Sequence, residues 1–208
     1  MTAISAPQTR SLPVRSLLQR FGLVFSLVLL CAVLSLLSDR FLTTQNLINV
    51  LRQSTINGII AVGMTFVILT AGIDLSVGAT LALSAVVTAD LLQKGVPVFA
   101  AVLIGLVLGA LLGLANGLLV SRTKVPPFIV TLGMMTVARG LTLTYTQGRP
   151  ITGLPAAFRL IGTGSVGPIP MPIIIAAVVF ISGYLLLDRT RYGQAIRGIG
   201  NNPLAARF

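Results

Sequence analysis

Apolar residues follow one another along this chain in runs too long for one stripe of an amphipathic helix or one face of a strand. A helix rises about 1.5 Å per residue, so crossing a hydrocarbon core of about 30 Å takes about 20 residues. Residues 21–38, "FGLVFSLVLLCAVLSLLS", predict a first span, with Arg10, Arg15 and Arg20 before it. A signal peptide would have an apolar core of about 7–15 residues and an A-x-A site. This run is longer and ends in Ser38-Asp39-Arg40, so it reads as a retained anchor.

Residues 54–93 are nearly free of charge and as helix would measure about 60 Å, two membrane cores and not one. Asp74 lies near the midpoint. It therefore predicts a break between spans two and three, where Gly72 can take the left-handed conformation that ends a helix and Asp74 or Ser76 can cap the next one. A re-entrant break lining a cavity is the alternative. A fourth span covers 96–120, with Gly105, Gly109, Gly113 and Gly117 at i, i+4 spacing; such a flat side suits close helix packing. Asn116 beside them reads as an interhelical hydrogen-bonding residue. Pro126-Pro127 opens span five, 128–146, which carries Arg139 near its middle and Thr136, Thr142 and Thr146 as a polar stripe. An arginine there costs about 2.5–3.5 kcal/mol, so it should face a cavity, a partner helix or the interface.

Residues 148–170 are rich in Gly and Pro and predict a surface loop with a short helix over 155–161. Span six is 171–187, and a basic stretch follows. The expectation is an all-α polytopic transmembrane bundle of about six spans: a tail over 1–20, a membrane domain over 21–187 and a segment over 188–208. Six spans leave both termini on one side. Positive-inside counting makes that side cytoplasmic, with Arg10, Arg15, Arg20, Arg122, Lys124, Arg189, Arg191, Arg197 and Arg207 on it. Arg40, Lys94, Arg149 and Arg159 fall outside, joined by Arg52 if 43–53 forms an interfacial helix.

Composition sharpens this picture. Hydrophobic residues make up 55% and charged ones 9%, far below the roughly 25% of soluble domains. The net charge of +11 is scattered between apolar runs, marking topology and not a nucleic-acid surface. Histidine and glutamate are absent, Cys31 stands alone, and the acids are Asp39, Asp74, Asp90 and Asp188. Ser-His and Cys-His catalysis are thereby excluded, and nothing calls for a metal or a cofactor. An aspartyl intramembrane protease would need Asp74 and Asp90 as its pair, but Asp90 is more simply the i, i+4 partner of Lys94. A proton-coupled carrier titrating Asp74 stays open.

Three stretches carry a family resemblance: "AVGMTFVILTAGIDLSVGATLAL" (61–83), "PPFIVTLGMMTVARGLTLTYTQGRPI" (126–151) and "RTRYGQAIRGIGNNPLAAR" (189–207). Together they resemble the permease subunits of bacterial ATP-binding-cassette importers for monosaccharides, of the ribose, xylose, arabinose and autoinducer-2 type. The resemblance implies an inner-membrane subunit with a cytoplasmic N-terminus that provides the path. A cytoplasmic ATPase would supply the energy and a periplasmic binding protein the sugar, with a second permease subunit, identical or not, completing the pair. The sequence agrees in carrying no G-x-x-x-x-G-K-[ST] phosphate loop. Residues 189–207 then correspond to the ATPase coupling region, with Arg191, Tyr192, Gly193, Arg197, Gly200, Asn201, Ala205 and Arg207 as its contacts. A juxtamembrane tail drawn to anionic lipid is the alternative.

A neutral sugar offers hydroxyls, so its path needs amide and hydroxyl groups on a few helix faces. The candidates are Asn57, Thr65, Asp74, Thr131, Arg139 and Thr142, each with helix packing as its competing role. Arg149 and Arg159 are candidates for meeting the binding protein. Family members continue beyond the point corresponding to Phe208 into further membrane helices, so this chain is expected to hold the N-terminal part of the family domain. A branched-chain amino-acid permease of the same wider superfamily is the nearest rival.

Overall fold

The computed structural model describes residues 14–201, with side chains over 21–200. Arg10, Ala205 and Arg207 fall outside the described residues, as do the side chains of Arg15, Arg20 and Asn201. Two compact units divide the chain after Val50.

In the first unit, α1 runs Val14–Leu37. It starts before the apolar run, because 14–20 holds no Gly or Pro that would stop a helix. Hydrogen bonds from Ser38 N to the Leu34 carbonyl and from Phe41 N to that of Ser38 close it into a turn, and Asn46 Nδ2 donates to the Phe41 carbonyl at 2.8 Å. The following helix, α2, spans Thr44–Leu69 without interruption. A separate interfacial helix over 43–53 is therefore not formed: no Gly or Pro stands between Thr44 and Asn57.

The second unit continues with α3 (Val77–Gln93), α4 (Val98–Arg122), α5 (Pro127–Thr146), α6 (Ala156–Thr163), α7 (Met171–Arg189) and α8 (Arg191–Asn201). Among the described residues four helices are long and apolar enough to cross a membrane, and Phe21–Leu37 and Val77–Gln93 are shorter apolar ones. Between α6 and α7 a two-residue hairpin pairs Ser165 with Pro170 and Val166 with Ile169. Gly167 takes its positive φ of 59°, a conformation a side chain would strain.

Burial is inverted relative to a water-soluble protein. Phe99, Leu106, Leu111 and Phe180 stand exposed, whereas the buried set is small or polar: Thr55, Ser76, Thr88, Ala101, Asn116, Thr131, Ala138 and Ala176, with Leu83, Leu92 and Ile196. Lipid solvates the large side chains as well as a core would, so helices associate through small residues and hydrogen bonds. The centre of packing is the α3–α4–α5 group, whose faces contribute Leu83, Thr88 and Leu92, then Ala101, Gly105 and Asn116, then Thr131 and Ala138. Against α7, α2 packs at Gly58, where a Cβ would lie 3.2 Å from the Phe180 ring, and α7 approaches α2 at Gly183, where a Cβ would strike Val62.

Loop hydrogen bonds tie the helix ends. At one end, Asp90 Oδ2 accepts from Lys94 Nζ at 2.7 Å and from the Tyr145 hydroxyl at 2.5 Å, joining α3 to α5. That hydrogen bond and the carboxylate's charge hold the Lys94 proton above its ordinary range. Gln93 Nε2 donates to the Thr152 carbonyl beside them. At this end the α5–α6 connection lies over the outer part of an apolar groove of about 460 Å³ between α3 and α4.

Candidate functional site

The turn between α2 and α3 is built as a tethered strap. α2 ends in a Schellman motif: Gly72 N donates to the Val67 carbonyl at 3.0 Å and Ala71 N to that of Ile68 at 2.9 Å. The left-handed residue is Ala71 (φ 57°) and not Gly72 as the sequence suggested. Its Cβ makes that conformation unfavourable, so the surrounding bonds must hold it.

Those bonds come from within the turn and from neighbouring helices. Asp74 Oδ1 accepts from Ser76 N at 2.7 Å and from Ser76 Oγ at 2.6 Å, an Asx turn just ahead of α3. Ser76 Oγ in turn accepts from Asn116 Nδ2 of α4 at 2.9 Å. From α5, Thr131 Oγ1 donates toward the Ile73 carbonyl at 3.2 Å, sharing its hydroxyl with the Pro127 carbonyl at 3.0 Å. Ser76, Asn116 and Thr131 are all buried. Asp74 thus serves the turn and the Ser76 amide, whereas Ser76 itself makes no side-chain cap on α3. Thr131, a path candidate from sequence, divides its hydroxyl between the turn and its own helix.

The glycine row on α4 divides into two halves. A Cβ at Gly105 would strike the Thr88 hydroxyl, and one at Gly109 would lie 3.3 Å from Ser84 Oγ; Gly113 and Gly117 have nothing within 4 Å. Helical geometry explains the division. At about 100° per residue an i, i+4 row drifts about 40° per step, so Gly113 and Gly117 rotate off the face toward α3, while Asn116, eleven residues past Gly105, returns to within about 20° of it.

Above the strap, α3 and α5 enclose a groove of about 450 Å³ lined by Leu75, Gly78, Ala79, Ala82, Met135, Arg139, Thr142 and Leu143. This lies within the range of about 300–1,000 Å³ usual for small-molecule sites. Arg139 and Thr142 are brought together here, opposite the small-residue face of α3. The Thr142 hydroxyl donates to the Ala138 carbonyl at 2.8 Å, leaving its lone pairs free to accept in the groove. The other two candidates lie on α2. Asn57 is exposed and joins neither strap nor groove, and Thr65 lines a smaller cleft of about 170 Å³ against α7. One residue was not read as site-forming: half-buried Arg52, whose Nε is buried without a partner, lines a cavity of about 370 Å³ with Ile161, Gly162 and Pro172. A lone cation in an uncharged stretch was the available signal.

Helix α8 folds back beside α7. Gly193 sits where a Cβ would strike the Leu187 carbonyl, Gly200 where it would strike that of Leu69, and Ile196 is buried. Arg197 pairs with Asp188. Gly193 and Gly200 therefore permit close approach to this chain's own helices. The exposed apolar stripe is Tyr192, Ala195 and Ile199, at i, i+3 and i+7, flanked by Arg191 and Arg197. Ile199 joins Tyr192 and Ala195 on this face, and the i, i+3, i+7 spacing is the signal in the sequence that shows it.

Lipid-facing apolar helices around a polar-tethered turn and a groove with a mid-helix arginine define a multi-pass membrane protein of permease type. Residues 46–208 match the family described as the branched-chain amino acid transport system / permease component, and the chain belongs to that family. It is 47% identical over 191 residues to the ribose import permease protein of Bacillus subtilis strain 168, covering 91% of this chain and 59% of that one. To the ribose import permease protein of Escherichia coli K12 it is 42% identical over 189 residues, 89% of this chain and 59% of the relative. The galactose/methyl galactoside import permease protein of Escherichia coli K12 is 35% identical over 211 residues, with shares of 91% and 62%. The chain thus spans about three fifths of the length of these curated relatives. No solved structure matches it.

Proposed function

We propose that this chain forms part of the permease subunit of an ATP-driven, binding-protein-dependent monosaccharide importer in the inner membrane. The observation that carries the reading is the 42–47% identity, over about nine tenths of the chain, to proteins named for ribose import. The family description mentions branched-chain amino acids, but the relatives above are named for sugars, which favours a sugar.

In this reading the α3–α5 groove forms one wall of the path, with Arg139 and Thr142 meeting sugar hydroxyls. A guanidinium donates to several hydroxyls at once without itself titrating. The end bearing the strap, Arg122, Lys124, Arg189, Arg191 and Arg197 faces the cytoplasm by the positive-inside rule. There, the Tyr192–Ala195–Ile199 stripe docks in a groove of the ATPase, with the basic flanks setting its register. The hairpin end, with Arg149 and Arg159, faces the periplasmic binding protein, and a second permease subunit closes the path. Asp74, bonded at a helix end, suits a structural role better than that of a titrating group in a proton-coupled carrier.

The test is uptake of labelled ribose into proteoliposomes holding the permease with its cognate ATPase and binding protein. Uptake should require internal ATP and survive an uncoupler. Competition by unlabelled leucine, or collapse with the uncoupler at constant ATP, would overturn the reading.

A further inference from the structure

We propose that Asn116 is a positioning residue that locks the α2–α3 strap to α4, so that displacement of α8 is delivered to the groove wall. The proposal rests on the importer reading above.

The chain of contacts is continuous. The last turn of α8 lies on the end of α2 so closely that a Cβ at Gly200 would collide with the Leu69 carbonyl and come within 3.9 Å of Thr70 Cα. From Thr70 the strap runs only to Ser76 before α3 begins, and residues on either side of Ser76, Leu75 and Gly78, already line the groove opposite Arg139. Any shift of Leu69 is thus passed through a short strap to the groove wall. Whether the wall moves as a body or the strap merely flexes depends on what grips it. Two side chains do: Thr131 on the Ile73 carbonyl and Asn116 on Ser76 Oγ.

Asn116 is the stiffer grip. It reaches a side chain already held by Asp74 through a 2.6 Å bond, so α4, Ser76 and Asp74 form one connected network. Its Oδ1 is buried with no partner, a cost that an apolar residue of like size would avoid. What offsets that cost is the one directed bond from its Nδ2 to Ser76 Oγ. Thr131 shares its hydroxyl with its own helix and holds less firmly.

The experiment compares Asn116→Leu, Ser76→Ala and Ser76→Thr in the complete transporter, at matched membrane abundance, reading sugar taken up per ATP hydrolysed. Asn116→Leu and Ser76→Ala should each lower that ratio about ten-fold, with ATP hydrolysis itself retained, and Ser76→Thr should restore it. The double variant should be no worse than Ser76→Ala alone, because loss of the Ser76 hydroxyl already removes the Asn116 bond along with the bond to Asp74. A ratio unchanged from the parent, or one that falls only as protein abundance falls, would overturn the proposal. Spin labels at Ala195→Cys and Leu75→Cys in a Cys31→Ser background supply a reading independent of transport: the distance distribution should broaden in Asn116→Leu, and an unchanged width would also overturn it. If the parent transporter shows no ATP-dependent sugar uptake, the importer reading fails; an intact parent with coupled variants sinks only the role of Asn116.

Discussion

Gly105 of α4 and Thr88 of α3 meet where a single added carbon would land on a hydroxyl. That hydroxyl already donates to the Ser84 carbonyl at 2.8 Å, so it cannot swing away freely. Gly105→Ala should destabilise the protein by about 1–3 kcal/mol through overpacking, and Thr88→Ala should relieve most of the loss when combined with it. Gly113→Ala should be close to neutral in stability. Thermal unfolding in detergent reads all three, and equal effects at Gly105 and Gly113 would contradict the packing described.

At Gly200 the neighbour is backbone, the Leu69 carbonyl, which cannot rotate aside. Gly200→Val should lift α8 from its seat and expose Ile196, now buried. Maleimide labelling of Ile196→Cys in a Cys31→Ser background measures this: slow in the parent, severalfold faster with Gly200→Val.

Arg139 poses a contest between stability and transport. Placing arginine in the middle of a membrane helix costs about 2.5–3.5 kcal/mol, so Arg139→Leu should leave the protein at least as stable as the parent. Sugar uptake should nevertheless fall by about ten-fold or more, since the groove loses its main donor to the substrate. A variant that is both more stable and fully active would remove Arg139 from the path.

The proposed docking stripe predicts a separation of effects on α8. Tyr192→Glu or Ile199→Glu should abolish co-purification of the ATPase while leaving the permease folded, because both side chains are exposed. Gln194→Glu, off the apolar stripe, should retain it.

The Lys94 pKa is raised by Asp90, so whatever stability this pair adds is fully present below the ordinary lysine value of 10.5 and lost as pH rises through the higher folded-state value. Thermal stability should be indifferent to this pair between pH 6 and 9 on that account. Lys94→Met should shrink any loss of stability seen in strongly alkaline buffer; an unaltered alkaline loss would deny the pair a part in it.

The sequence by itself determined the membrane helices, because hydrocarbon demands a run of apolar residues of known length and every such run here became a helix. It also marked the break at Asp74 by counting length alone. What it could not show was which faces meet. Asn116 and Gly105 are eleven residues apart yet share a face, whereas Gly113 and Gly117, in register by spacing, turn away; only the packed helices reveal that the i, i+4 row winds off the contact. Which contacts Thr131, Gly193 and Gly200 make within the chain, with the Ile73, Leu187 and Leu69 carbonyls, residue type alone did not tell. In a lipid solvent nearly every helix face is apolar, so periodicity loses its power to tell inside from outside, and the few hydrogen bonds that settle the matter join residues distant in sequence.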